Sequence, residues 1–324
     1  MPASSPSSKR RGRLLRRGAA FVVLLAVAGY LAVRYVTGGT GEPGCEVVSG
    51  KAGGGRYEFT PEQAVNAATI AAVGTNRGLP ERAVTIALAT ALQESGLRNI
   101  SHGDRDSLGL FQQRPSQGWG TEQEILDPIY SADIFYEHLI KVRGYTELPL
   151  TVAAQRVQRS GFPKAYAKHE PDATLLAAAL TGRSAATLTC EGRPGATRTS
   201  GPDAVRAALL RDFGQDTLQS AAEVGARKAT PTPTPTVIER DGQTVLLPVT
   251  GGSGSGAGRS VRERGWQLAH WAVANASDLR IKQVSYAGRE WTAGNTDSQW
   301  RATATEGASG ADSGLGSVRI VTAR

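Results

Sequence analysis

PERAVTIALATALQESG, residues 80–96, opens on a proline that suits the first turn of a helix and closes on a glycine that suits its end. Between them Val84, Ala87, Leu88 and Ala91 recur at helical spacing, and the same stripe, continued one step, reaches Glu94. A carboxylate on the apolar stripe of a helix is poorly placed for a purely structural role. Partial desolvation and the negative end of the helix dipole both disfavour its ionisation, which raises its pKa. An acid that must hold a proton near neutral pH needs that property. The plain alternative is a glutamate turned to solvent in the last turn.

Working outward, Thr60, Pro61 and Gln63 supply a cap, a first-turn proline and a capping-box partner for a preceding helix through Ala64, Ala68, Ile70 and Ala71. After Ser95 the text is loop-like to Gly120. Thr121 and Glu124 form another capping box, and Ile129, Ala132, Phe135 and Leu139 give a stripe past Pro128. Further helices are predicted over 151–158 and 172–180, with Gly182 as a stop. Residues 57–190 therefore read as all-helical.

The order Glu94-Ser95-Gly96, then a loop, then Gly109-Leu110-Phe111-Gln112 resembles the lytic transglycosylase and goose-type lysozyme families. In them a Glu-Ser pair ends the catalytic helix and a Gly-Leu-Met-Gln run lines the cleft; Phe111 stands where they have Met. Gly103-Asp104-Arg105 looks most like the goose-type pattern. The resemblance implies a lysozyme-like fold over 57–190, with Glu94 as acid/base, Ser95 supporting the cleft, and Gly109, Leu110, Phe111 and Gln112 lining it, Gln112 on a sugar. It implies cleavage of peptidoglycan glycan strands at the MurNAc-GlcNAc β-1,4 bond, with no cofactor and no metal. The third family motif, usually Ala-Tyr-Asn, departs: Val157-Gln158-Arg159-Ser160-Gly161 holds its place. Gln158 is one candidate for the hydrogen bond that the family's Tyr makes to the Glu, and Tyr166 is a second. Phe111 and Trp119 are candidates to stack on sugar faces, with a lid over the core as the alternative for Trp119.

A hydrolase needs a second group opposite the acid, whereas a transglycosylase can let the sugar's own 6-hydroxyl attack. Asp104 and, behind it, Asp106 are the candidates, although loop aspartates more often cap turns. Gln113 and Arg114 occupy the place of the extra acid of goose-type lysozymes, so transglycosylation is favoured. The alternatives are a muramidase using Asp104 to position water and a non-catalytic peptidoglycan-binding protein.

The formal charge of +8 over 324 residues is dominated by Lys9, Arg10, Arg11, Arg13, Arg16 and Arg17, so nucleic acid is not an expected partner. This run leads into GAAFVVLLAVAGYLAVRYV, residues 18–36, long enough for a bilayer core about 30 Å thick, with the flank that keeps the N-terminus cytoplasmic. An uncleaved anchor is favoured over a cleaved signal peptide. The expected localisation is the cell membrane, single-pass, with the catalytic domain outside. One spanning segment with few Cys and His makes a transporter a poor reading. Cys45 and Cys190 lie beyond that segment, in a compartment where a disulfide persists; they bracket 57–187, and two unrelated buried thiols are the alternative.

The chain is thus expected to be mainly α: a basic tail (1–17), a transmembrane anchor (18–36), a glycine-rich stalk (37–56), a lysozyme-like helical domain (57–190), a linker (191–260) and a smaller α/β C-terminal module (261–324). The linker contains a Thr-Pro stretch at 230–236, a Gly-Ser run at 251–258 and, across Asp241 and Gly242, a hairpin. A helix over 205–213 falls within the linker and is a candidate to join the module. The C-terminal part resembles a small module found behind hydrolase domains in actinobacterial cell-wall proteins, on Trp266, Trp271 and Tyr286-Ala287-Gly288-Arg289-Glu290-Trp291. Related modules often end in a histidine-rich motif; here the end reads Gly316-Ser317-Val318-Arg319-Ile320-Val321, and His270 alone makes no zinc site. The module is read as non-catalytic, its tryptophans offered to glycan or to a cell-wall protein partner.

Overall fold

The helix read from residues 80–96 is the buried axis of the protein. We describe it in a computed structural model, which covers residues 44–190, 201–219, 238–240, 242–249, 260–294, 299–303 and 315–323. In chain order the elements are β1 (Cys45–Val48), β2 (Arg56–Phe59), α1 (Pro61–Asn76), α2 (Glu81–Ser95), α3 (Glu122–Ile125), α4 (Pro128–Ile140), α5 (Leu150–Gln158), α6 (Glu170–Leu180) and β3 (Leu188–Cys190). There follow α7 (Pro202–Gln219), β4 (Ile238–Arg240), β5 (Thr244–Pro248), α8 (Val261–Ala274), β6 (Ile281–Tyr286), β7 (Arg289–Thr292), β8 (Arg301–Ala302) and β9 (Ser317–Thr322).

Local signals start the helices. Thr60 and Gln63 close a reciprocal capping box on α1, Thr121 and Glu124 do so on α3, and Asp127 caps α4 through the Ile129 amide. From Ala83 to Leu92 every residue of α2 is buried. A helix apolar on all sides must be enclosed, and α1, α4, α5 and α6 enclose it. Its alanines keep those neighbours close.

Two sheets correct the expected mainly α architecture to a mixed α/β one. The first has the order β2-β1-β3 and is antiparallel throughout. It turns part of the expected stalk into structure, because Cys45 and Val47 face inward in alternation along β1. Cys45 pairs directly with Cys190 across it, and the two are joined by a disulfide. The second sheet, β4-β5-β9-β6-β7-β8, is antiparallel as well and includes the hairpin expected around Gly242.

The C-terminal elements pack against the helices rather than apart from them, within one compact unit, Pro43–Arg324. From Gly265 to Ala274 all of α8 is buried. His270 Nδ1–H donates to Ala179 O (2.8 Å), and the Thr187 amide donates to His270 Nε2 (3.2 Å), which sets the neutral tautomer. Trp300 Nε1 donates to Leu188 O, and Trp271 Nε1 donates to the buried Asp212 carboxylate. Trp266, Trp271 and Trp291 are each 1% exposed. They are core residues, so the tryptophans read as a ligand-holding surface are not available as one.

The expected membrane anchoring also needs correction. Among the described residues no helix is long and apolar enough to cross a membrane. The longest, α7, has 18 residues, is polar and breaks at Gly214 (φ 69°), whereas a span takes roughly 20 apolar residues. The tail, the apolar run 18–36, the Thr-Pro stretch and the Gly-Ser run lie outside the described residues. With the segment that carried it undescribed, the single-pass membrane localisation is withdrawn.

Candidate active site

Glu94 occupies the last turn of α2, where two devices hold it. Gly96 takes the left-handed conformation (φ 64°) that ends the helix, and the amides of Gly96 and Leu97 return to Leu92 O and Ala91 O. Ser95 turns its hydroxyl to Leu110 O (2.8 Å) while its own oxygen accepts from the Arg98 amide (3.2 Å). The helix end is thereby stapled to the 108–113 loop. Ser95 thus acts on the backbone of both segments.

The loop itself is a tight bridge in which Leu108 and Gln113 exchange both backbone hydrogen bonds. Gly109 (φ 73°) lies so close to Ile125 O that a Cβ there would come within 2.6 Å of it, which only glycine avoids. The motif positions then divide. Leu110 and Phe111 are fully buried, Phe111 stacked on Phe135 with centroids 4.6 Å apart, so neither side chain lines a cleft. Gln112 remains half-buried, its amide donating to Gly109 O (3.2 Å). Trp119 is 8% exposed and packs on His138, as a cover over the core rather than a sugar platform.

Around the carboxylate, the Tyr166 hydroxyl donates to Glu94 Oε1 at 2.6 Å. Tyr166 lies on a 3-10 turn, Pro163–His169, that packs on α2 and α5. Gln158 ends α5 and donates through Nε2 to Phe111 O (2.7 Å); the same amide is near enough to Glu94 to favour its charged form. Desolvation is nevertheless the dominant influence, and it raises the Glu94 pKa, with the bonds from Tyr166 and Gln158 opposing it. Burial and the neighbouring Glu94 push the Tyr166 pKa up, so the phenol stays a donor. A half-buried carboxyl group with a fixed phenolic donor can hold, release and recover a proton.

The two loop aspartates sit differently. Asp106 accepts from the Ser116 amide (2.9 Å) and from Arg114 Nε (2.6 Å), and the Ser116 side chain and amide, then Arg114, hold its pKa well below the usual range. It is a loop staple. Asp104 is exposed, and its backbone carbonyl closes the turn by accepting from the Ser107 amide; no hydrogen bond reaches its carboxylate among the described residues. Three residues near Glu94 escaped the sequence reading. His169 Nε2 meets Gln93 Oε1 at 3.2 Å beside it, and Ser160 opposes the rise in the Tyr166 pKa. Pro163 is the one signal of the turn that brings them in. Among the described residues no group of three or more His, Cys, Asp or Glu is gathered to hold a metal ion.

One similarity to a known family emerges. The family described as VldE, C-terminal domain, matches residues 253–313, a stretch that contains α8, β6, β7 and β8 and stops short of the Glu94 site. No curated protein matches the chain.

Proposed function

We propose that this protein cleaves the glycan strands of peptidoglycan at the MurNAc-GlcNAc β-1,4 bond by lytic transglycosylation, with Glu94 as general acid and then base. What carries the reading is the Glu94 carboxyl group: half-buried at a helix end, its pKa raised by desolvation, and held at 2.6 Å by the Tyr166 hydroxyl. Protonated Glu94 gives its proton to the glycosidic oxygen as the bond from that oxygen to the anomeric carbon breaks. The carboxylate left behind accepts the proton of the sugar's own 6-hydroxyl, whose oxygen bonds to the anomeric carbon and closes an anhydro ring. The acid is regenerated and no water is consumed. Tyr166 steadies the carboxylate while it is charged. This route makes no demand on the exposed Asp104 or on Asp106, which is already engaged by Arg114.

Digestion of purified sacculi followed by mass spectrometry tests the reading, with anhydro ends expected. Reducing ends would replace it with hydrolysis, and sacculi that bind the protein but stay intact would replace it with binding. Asp104→Asn should leave the rate nearly unchanged; a large loss would assign Asp104 to activating water.

A further inference from the structure

The loop that leaves α5 carries groups that the chemistry at Glu94 does not use. Phe162 is 79% exposed, whereas Phe111, Phe135 and Tyr166 are buried. Its loop is tied towards the acid: the Phe162 amide donates to Ser160 Oγ (3.1 Å), and, four residues on, Tyr166 donates to Glu94 (2.6 Å). Gln155 Nε2 fixes the loop from the other side by donating to Ser160 O (2.8 Å). Exposed Arg156, Arg159, Lys164 and Lys168 flank the ring, with no acidic residue between positions 156 and 168. Among the described residues none of the four forms an ion pair.

Resting on the glycan reading above, we propose that residues 156–168 form a binding lip beside Glu94, with Phe162 stacked on the apolar face of a pyranose ring and Arg159 and Lys164 holding carboxylates borne by the strand. The ligand class is an anionic, carboxylate-bearing glycan rather than a neutral one. A flat phenyl ring matches the C–H face of a sugar, and its exposure leaves that face free to be covered. The cations add charge-assisted bonds whose strength falls as salt screens them. Because Tyr166, the hydrogen-bond partner of Glu94, follows Phe162 by four residues on the same segment, a ring seated on Phe162 would be held by the segment that also holds the acid.

The test measures binding without turnover. Soluble glycan strands with free lactyl carboxylates, and neutral chitin oligosaccharides of equal length, are titrated onto the wild-type protein and onto Phe162→Ala, Phe162→Trp and Arg159→Ala/Lys164→Ala variants of unchanged melting temperature. Phe162→Ala should weaken strand binding roughly tenfold, the scale of losing an aromatic anchor, and Phe162→Trp should restore it. The double variant should lose its preference for the carboxylated strand and most of its salt dependence. Wild-type binding by Phe162→Ala, or a wild-type preference for the neutral oligosaccharide, would overturn the proposal, as would a self-association that only Phe162→Ala abolishes. The two readings fail separately. Strands held through Phe162 but never cut would leave the lip and remove the cleavage; strands cut with unchanged KM by Phe162→Ala would do the reverse.

Discussion

The Tyr166 hydroxyl reaches Glu94 Oε1 at 2.6 Å across 72 residues of sequence. That bond lowers the Glu94 pKa against a larger rise from desolvation, so it bears on both rate and pH dependence. In Tyr166→Phe the larger of the two opposing influences is gone, Gln158 remaining, and the Glu94 pKa climbs further. The alkaline limb of the pH-rate profile, where the acid loses its proton, should shift to higher pH, while the maximal rate falls roughly tenfold or more. An unshifted limb would mean that the titrating acid is another group.

Glu94→Gln keeps the shape of the side chain and removes its proton. Glycan cleavage should fall by at least about a hundredfold. Stability should move the other way. A carboxyl group whose folded pKa is raised stabilises fully below its unfolded pKa, and that contribution is lost as pH rises through the folded value. The variant should therefore melt higher than wild type above that window and converge with it at acid pH. Parallel melting curves across pH would contradict the desolvation of Glu94.

His270 gives the opposite sign. Burial depresses its pKa to about 4, and the Thr187 amide needs the lone pair that a second proton would occupy. Its contribution is present above the unfolded value near 6.5 and is lost as pH falls through about 4, on the order of 3 kcal/mol in all. Calorimetric melting between pH 7 and pH 4 should show this loss, and it should be largely absent in His270→Gln. An equal slope in the two proteins would place the titration elsewhere.

Phe111 stacks on Phe135 inside the core. Phe111→Ala should cost about 3–5 kcal/mol, and Phe111→Met, which nearly conserves volume, less than about 1.5 kcal/mol. Denaturant unfolding measures both. A Phe111→Ala protein of near-normal stability but weak glycan binding would return the ring to the cleft.

What could be read from the chain followed the range of the interactions. Helix starts were legible because their caps lie within three residues: Thr60 with Gln63, and Thr121 with Glu124. Glu94 was legible because its stripe is local too. The three-stranded sheet was not, since β1 has 4 residues, β3 has 3, and the cysteines that join them are 145 apart in sequence. Phe111 was misjudged for a related reason: a motif tells that a loop is present, but not which of its side chains turns towards Phe135. The C-terminal tryptophans read as a surface in the sequence because the helix bearing two of them also carries Arg262, Glu263, Arg264, Gln267 and His270; only its packing shows that 265–274 is wholly enclosed. Between Gln158 and Tyr166 only the packing of the 163–169 turn on α2 could decide.

The chain enters the helical part at Cys45 and leaves it at Cys190, and these two residues face each other at one end of an antiparallel pair. Pulling on the two flanking segments would thus work to unzip β1 from β3, a geometry in which backbone hydrogen bonds give way one at a time. The covalent bridge lies at the first rung. Tension carried along the backbone at Cys45 and Cys190 is short-circuited through sulfur before it reaches α1 to α6, and the distance between Glu94 and Tyr166 is insulated from strain along that path for as long as the bridge stays oxidised.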